Sequence, residues 1–191
     1  VRYVIHHDIP KSMEGYYQET GRSGRDGGEG ICVAFYSQKD IDKLTKFMKD
    51  KPVSEREIGT QILKEVIDYA ESSVCRRKQI LHYFGENFNE AGCNNMCDNC
   101  RHPKKYFDAE LPLHLFGSGK SEGVILWKSL MRQAVLNNFV QKDIDNYGLL
   151  KLTKSGKAFI GNPYPMKFIL NYLMETAEDE VEEAQHQGGA F

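Results

Sequence analysis

The hydrophobic pattern changes period several times along the chain. Val1-Arg2-Tyr3-Val4-Ile5 reads as a buried strand, ended by His6-His7-Asp8 and Pro10, and Ser12 is placed to cap a short helix carrying Tyr16 and Tyr17. The apolar run Ile31-Cys32-Val33-Ala34-Phe35-Tyr36 predicts a second strand, with Cys32 as a small buried hydrophobe. From Ser37 the period becomes helical: Ser37 and Asp40 make a capping box, and Ile41, Leu44, Phe47 and Met48 share one face. Strand, helix, loop, strand, helix is the rhythm of a parallel α/β sheet. Two strands do not make a stable sheet by themselves, so residues 1–50 are expected to be the end of a larger domain.

After Pro52 a second capping box, Ser54 with Glu57, opens a predicted helix with Ile58, Ile62, Val66 and Ile67 near one stripe, running toward Cys75. Arg76-Arg77-Lys78 follow, and Ile80, Leu81, Tyr83 and Phe84 supply an apolar side before Gly85. Further on, Val124, Trp127, Leu130, Met131, Val135 and Leu136 recur at helical spacing, which makes Trp127 a core anchor and puts Lys128 and Arg132 on another face. Phe139, Val140 and Ile144 are separated from Leu149, Leu150 and Leu152 by Asp145-Asn146-Tyr147-Gly148, a turn between two β-like runs. A helix followed by a two-stranded wing is the back half of a winged helix. Residues 166–191 read as an acidic tail or linker.

Cys75, Cys93, Cys97 and Cys100 stand as C-x17-C-x3-C-x2-C, the last pair bracketing the polar turn Asp98-Asn99. Four thiolates at this spacing read as a closed structural zinc site. The competing disulfide reading is weak, because the chain shows no signal peptide or transmembrane run and is long enough to bury a core without covalent staples. Composition narrows little more: 40% hydrophobic and 27% charged residues describe an ordinary soluble chain. The formal charge of -2 conceals an asymmetry, with 25 basic against 21 acidic residues before residue 175 and only acids after it. A mildly basic body is compatible with nucleic acid, and the cluster Arg76-Arg77-Lys78 is either a DNA-backbone contact or an exposed helix face.

The most telling run is Gln18-Glu19-Thr20-Gly21-Arg22-Ser23-Gly24-Arg25-Asp26-Gly27. Two arginines among glycines, behind an aromatic-bearing helix, suit a phosphate: the guanidinium fork matches a phosphoryl group, and Gly21 and Gly24 let the backbone approach. Taken alone, such a run is also compatible with an ordinary basic loop.

Together with Tyr16-Tyr17, the cysteine frame entered through Cys75-Arg76-Arg77, and Gly117-Ser118-Gly119-Lys120 leading to Trp127 and Arg132-Gln133, this run resembles the C-terminal half of RecQ-type ATP-dependent DNA helicases. The resemblance implies a mixed α/β and α+β multidomain chain. Residues 1–50 would be the tail of a second RecA-like lobe with helicase motif VI, and 51–108 a helical zinc-binding subdomain. Residues 109–165 would be an incomplete winged helix, because the join Lys104–His114 leaves no room for that module's first helices. It further implies that Arg25 is an arginine finger on the γ-phosphate of ATP, with Arg22 and Gly24 beside it and Gln18 positioning water or phosphate. Arg76, Arg77, Lys128, Arg132 and Tyr147 would meet DNA, Tyr147 as a wedge at the fork. Zinc would be structural, with ATP and Mg2+ bound by the whole protein.

The implied activity is 3′–5′ unwinding in repair, recombination and replication. The implied partners are DNA junctions, a first RecA-like lobe in cis and a single-stranded-DNA-binding protein, without a membrane. The implied location is cytoplasmic at the nucleoid, or nuclear in a eukaryote. No G-x-x-x-x-G-K-[ST] occurs, so this stretch is expected to be unable to hydrolyse ATP alone. The alternatives are a non-enzymatic, zinc-stabilised winged-helix DNA-binding regulator, which has no use for the paired arginines, and a protein-interaction scaffold, whose DNA affinity would barely respond to salt.

Overall fold

The computed structural model describes residues 1–110, 120–143 and 149–171. They divide into two compact units, residues 1–71 and residues 72–171. No helix among the described residues is long and apolar enough to cross a membrane.

In the first unit, β1 (Tyr3–His6) pairs in parallel with β2 (Ile31–Ala34), Tyr3 opposite Ile31 and His6 opposite Ala34. Between them lies α1 (Met13–Thr20), whose first turn is capped by Ser12 accepting from the Gly15 amide at 3.0 Å. The predicted cap of α2 (Gln38–Lys49) is present, Ser37 accepting from the Asp40 amide. The next helix, α3 (Val53–Glu71), begins before Ser54, so Ser54 and Glu57 lie within its first turns instead of bounding it.

Met13, Ile41, Leu63 and Val66 are buried and form the inner side of this unit, and the Tyr16 and Tyr69 rings, 5.3 Å apart, join α1 to α3. The true stripe of α3 is Leu63, Val66 and Ala70, whereas Ile58 is 61% exposed. Phe47 also departs from its expected buried face: it is exposed, with Lys11 and Lys51 over its ring at 4.7 and 5.9 Å. The largest departure concerns the strands. Tyr3, Ile5, Ile31 and Phe35 are all more than half exposed, and Cys32 is exposed where a buried hydrophobe was expected. Two strands cannot cover both of their own faces, so apolar composition alone does not bury them.

The second unit begins with α4 (Arg76–Tyr83), a 3₁₀ turn (Glu90–Cys93) and the short α5 (Asp98–Arg101). It continues through β3 (Tyr106–Asp108), α6 (Val124–Leu136), β4 (Val140–Asp143), β5 (Leu149–Leu152), α7 (Lys154–Gly161) and β6 (Lys167–Ile169). The predicted helix and hairpin are there: β4 and β5 are antiparallel, Val140 opposite Leu152, and Trp127 packs against a core of Ala109, Leu130, Ala134, Phe139, Phe159 and Phe168. The hairpin tip, with Tyr147, lies outside the described residues, as does the segment 111–119.

Several elements, among them β3, α7 and β6, were not anticipated. Thr153 caps α7 by accepting from the Gly156 amide at 3.0 Å. Residues 167–169, expected in the tail, form β6 and pair antiparallel with β3, with Phe168 and Ile169 buried. Burying such side chains is worth about 1.5–3 kcal/mol each, which outweighs the weak strand signal of a three-residue run. Gln133 seals this arrangement from inside α6: its Oε1 accepts from the Ile169 amide at 2.8 Å and its Nε2 donates to the Ile169 carbonyl at 2.7 Å. A side-chain amide thus completes the backbone pairing where no further strand lies among the described residues.

Candidate functional site

The cysteine frame is assembled entirely within the second unit. Cys75 sits at the N-terminus of α4, Cys93 ends the 3₁₀ turn, and Cys97 and Cys100 flank the start of α5. Their four sulfurs lie within 4.8 Å of one another, Cys75 and Cys93 are fully buried, and none is in a disulfide. A Zn–S bond of about 2.3 Å puts tetrahedral sulfurs about 3.8 Å apart. The Cys97 and Cys75 sulfurs are 3.9 Å apart.

The thiols perturb one another as a set. Burial pushes Cys75 up to about 11, whereas Cys93 falls to about 7 because the Cys97 amide and neighbouring sulfurs outweigh its burial. A divalent cation resolves the conflict, since it displaces the protons and neutralises the thiolates together. The donor set, closure and burial fit structural zinc, held by Cys75, Cys93, Cys97 and Cys100 with no position left open for chemistry.

The residues around the sulfurs make the frame rigid. Asn99, buried in the turn between the last two cysteines, donates from Nδ2 to the carbonyls of Ser72 and Val74 at 2.6 and 2.7 Å, tying that turn to the segment that delivers Cys75. Arg76 forks onto Asp98, Nε to Oδ1 at 3.1 Å and Nη2 to Oδ2 at 3.0 Å, with only 16% of its side chain exposed. Burial acts to raise the Asp98 pKa, but Arg76 prevails and holds the carboxyl below its ordinary value. Of the residues expected at DNA, Arg76 is therefore engaged inside the frame; Arg77 and Lys128 are exposed, Arg132 is half-buried on α6, and Tyr147 is outside the described residues.

The arginine run forms the exposed loop after α1. Gly24 has φ +73°, and a Cβ there would lie 2.5 Å from the Gly28 carbonyl, so the turn that separates the two arginines requires glycine. Arg25 donates from Nε to the Gly21 carbonyl at 3.1 Å, directing the guanidinium back over the end of the helix. Arg22 and Gln18 are exposed. Neither arginine has a carboxylate partner among the described residues, so both guanidinium groups keep donors for an incoming anion. Two further contacts escape a sequence reading because they join distant positions: Asp26 with Arg2, and Glu19 with His6, separated by 24 and 13 residues. The only local hint is that acids flank the arginines.

Comparison with known proteins matches two family models to the chain, the RecQ zinc-binding family over residues 38–101 and the RQC domain over residues 107–171. The ATP-dependent DNA helicase RecQ of Haemophilus influenzae is 32% identical over 211 residues, covering 89% of this chain and 34% of the relative. The ATP-dependent DNA helicase hus2/rqh1 of Schizosaccharomyces pombe is 46% identical over 114 residues, covering 58% of this chain and 9% of the relative. The RecQ-like DNA helicase BLM of Xenopus laevis is 44% identical over 115 residues, covering 56% and 8%. The chain thus spans about a third or less of the length of these relatives. With both family models matched in order, and the four cysteines gathered inside the zinc-binding stretch, the chain belongs to the RecQ family.

Proposed function

We propose that this chain is the part of an ATP-dependent DNA helicase that supplies an arginine finger, a zinc-braced scaffold and a DNA-binding winged helix. The observation that carries the proposal is the arginine loop: two exposed guanidinium groups without carboxylate partners among the described residues, in a chain related to proteins named ATP-dependent DNA helicases. In this reading residues 1–50 are the tail of a second RecA-like lobe, 51–108 the zinc-binding subdomain and 109–165 the winged helix, drawn out to β6 at Ile169 by its pairing with β3. The exposed apolar side chains of β1 and β2 support a lobe with more sheet to pair and cover.

The chemistry assigned to the loop is electrostatic. Phosphoryl transfer spreads negative charge over the γ-phosphate oxygens, and a preorganised guanidinium stabilises that charge where water is excluded. Arg25 is the finger, Arg22 its partner, Gly24 the close approach and Gln18 the group that orients water or phosphate. ATP and Mg2+ would be held by the whole protein. Zinc supports folding and fixes the angle at which α4 meets the rest of its unit. Arg77, Lys128 and the half-buried Arg132 meet the DNA backbone, and Tyr147 serves as the wedge.

The direct test uses the whole protein. Arg25→Ala should lower DNA-stimulated ATP turnover by roughly 10³ to 10⁵ while leaving DNA affinity within about twofold. Normal turnover in that variant, or loss of DNA binding instead, would remove the finger.

A further inference from the structure

The loop that carries Arg22 and Arg25 is held at two points, and both are supplied by the residues at the ends of β1. At one end Arg2 forks onto Asp26, Nη1 to Oδ1 and Nη2 to Oδ2, each at 2.8 Å, and the same Nη1 reaches the Glu29 carbonyl at 3.4 Å. Asp26 also accepts from the Gly28 amide at 3.3 Å. The surrounding backbone is stitched to the same place, with Ser23 Oγ donating to the Arg2 carbonyl and the Gly24 amide donating to the Val1 carbonyl, both at 3.0 Å. Gly28 leaves room for this fork, since a Cβ there would meet Arg2 Nη1 at 2.3 Å.

At the other end His6 Nε2 lies 2.7 Å from Glu19 Oε2, two residues before Gly21 on α1. The His6 side chain is only 6% exposed, packs on Tyr16 with ring centroids 5.3 Å apart, and has a buried Nδ1 with no hydrogen-bond partner. A proton on Nε2 satisfies this arrangement by donating to the Glu19 carboxylate. One strand therefore grips the helix before the arginines and the turn after them.

We propose that Glu19 and Asp26 are positioning residues for the arginine finger, each acting through its partner at one end of β1, so that β1 sets the direction in which Arg22 and Arg25 present their guanidinium groups. This rests on the arginine-finger reading above. Magnitudes favour a directional role. Arg2 and Asp26 are 52% and 60% exposed, and an ion pair so open to water adds little to stability. Placement matters far more at a reacting phosphate, where a displacement of about 1 Å can cost about a hundredfold in rate. The Asp26 carboxyl is held below its ordinary range first by Arg2 and then by the Gly28 amide, in keeping with a persistent fork.

The test compares Gly28→Ala, Asp26→Arg, the exchange Arg2→Asp with Asp26→Arg, and Glu19→Ala against Glu19→Gln, all in the whole protein, with Arg25→Ala as reference. Gly28→Ala displaces only the flexible end of Arg2 and changes no charge. The expected result is a fall in kcat of about tenfold for Gly28→Ala, Asp26→Arg and Glu19→Ala, with the KM for ATP and DNA affinity nearly unchanged. The thermal midpoint should hold for Gly28→Ala and Asp26→Arg and drop for Glu19→Ala, which strips the buried His6 ring of its hydrogen-bond partner. The exchanged pair and Glu19→Gln should recover to within about threefold of the parent, because each restores a partner. A normal kcat in Gly28→Ala and Asp26→Arg while Arg25→Ala is inactive would overturn the proposal and leave the finger standing. So would an exchanged pair no better than its single variants but with an unchanged thermal midpoint. If Arg25→Ala is itself active, the finger reading fails first.

Discussion

The zinc frame and the arginine loop treat their polar atoms in opposite ways. In the frame everything turns inward: two cysteines are fully buried, Asn99 satisfies two carbonyls, and Arg76 is folded onto Asp98. In the loop the guanidinium groups are exposed, the turn is glycine-rich, and the strands that support it leave large apolar side chains in water. A structural site is finished by the chain itself, because an unpaired buried polar group is costly. A site of the kind proposed for the arginine loop keeps donors free and is ordered from elsewhere, here through contacts with residues at the two ends of β1.

The widest separation between the two regions should come from the metal. Zinc bound by four thiolates contributes folding free energy outright, about 10–16 kcal/mol in small zinc modules near neutral pH. Cys97→Ser, or a strong chelator, should therefore remove the cooperative unfolding transition of residues 72–171, and metal analysis of the parent chain should give one zinc per chain. A metal-free chain that keeps that transition would break the contrast at its strongest point.

Arg25→Ala should show the reverse profile. Its loss of turnover is set out above; its thermal midpoint should stay close to the parent's, since exposed substitutions outside caps and ion pairs usually change stability by less than about 0.5 kcal/mol. A large drop in the midpoint would make Arg25 a structural residue and erase the distinction.

Asn99→Ala sharpens the comparison inside the frame. Removing Nδ2 leaves the Ser72 and Val74 carbonyls without that donor in a buried setting, which costs about 1–3 kcal/mol. Urea unfolding should show a lower midpoint at unchanged slope, with zinc still bound. Loss of zinc together with the cooperative transition would instead make Asn99 a guardian of the metal.

How much of this was legible in the sequence depended on range. The cysteine spacing, the Ser37 cap, the helical stripe around Leu130 and the β4–β5 hairpin were readable because each signal lies within one element or a few neighbouring residues. The loop's glycines were readable for the same reason. The burial of β1 and β2 was misread because period and composition report what a strand prefers, whereas burial depends on which neighbours cover it. The strand at 167–169 was hidden because its partner, β3, lies some sixty positions earlier and its own run is short. The partners of Asp26 and Glu19 were invisible for the same reason, as was the inward turn of Arg76, which its basic neighbours made look like part of a DNA-facing patch.

That last case gives the finest test, because Arg76, Arg77 and Lys128 carry the same charge in different settings. Arg76 is held by Asp98 at 16% exposure, whereas Arg77 and Lys128 face solvent. Each lysine or arginine that meets a phosphate releases about one counterion, so removing one reduces the slope of log affinity against log salt by about 1. Arg77→Ala and Lys128→Ala should each flatten the slope by about that amount without moving the thermal midpoint. Arg76→Ala should leave the slope alone and lower stability modestly, because it removes a well-packed side chain and its fork onto the exposed Asp98 carboxylate beside two zinc ligands. Equal slope changes for all three would mean that the Arg76–Asp98 fork opens on DNA, and the division between an inward frame and an outward basic face would then have to be drawn elsewhere.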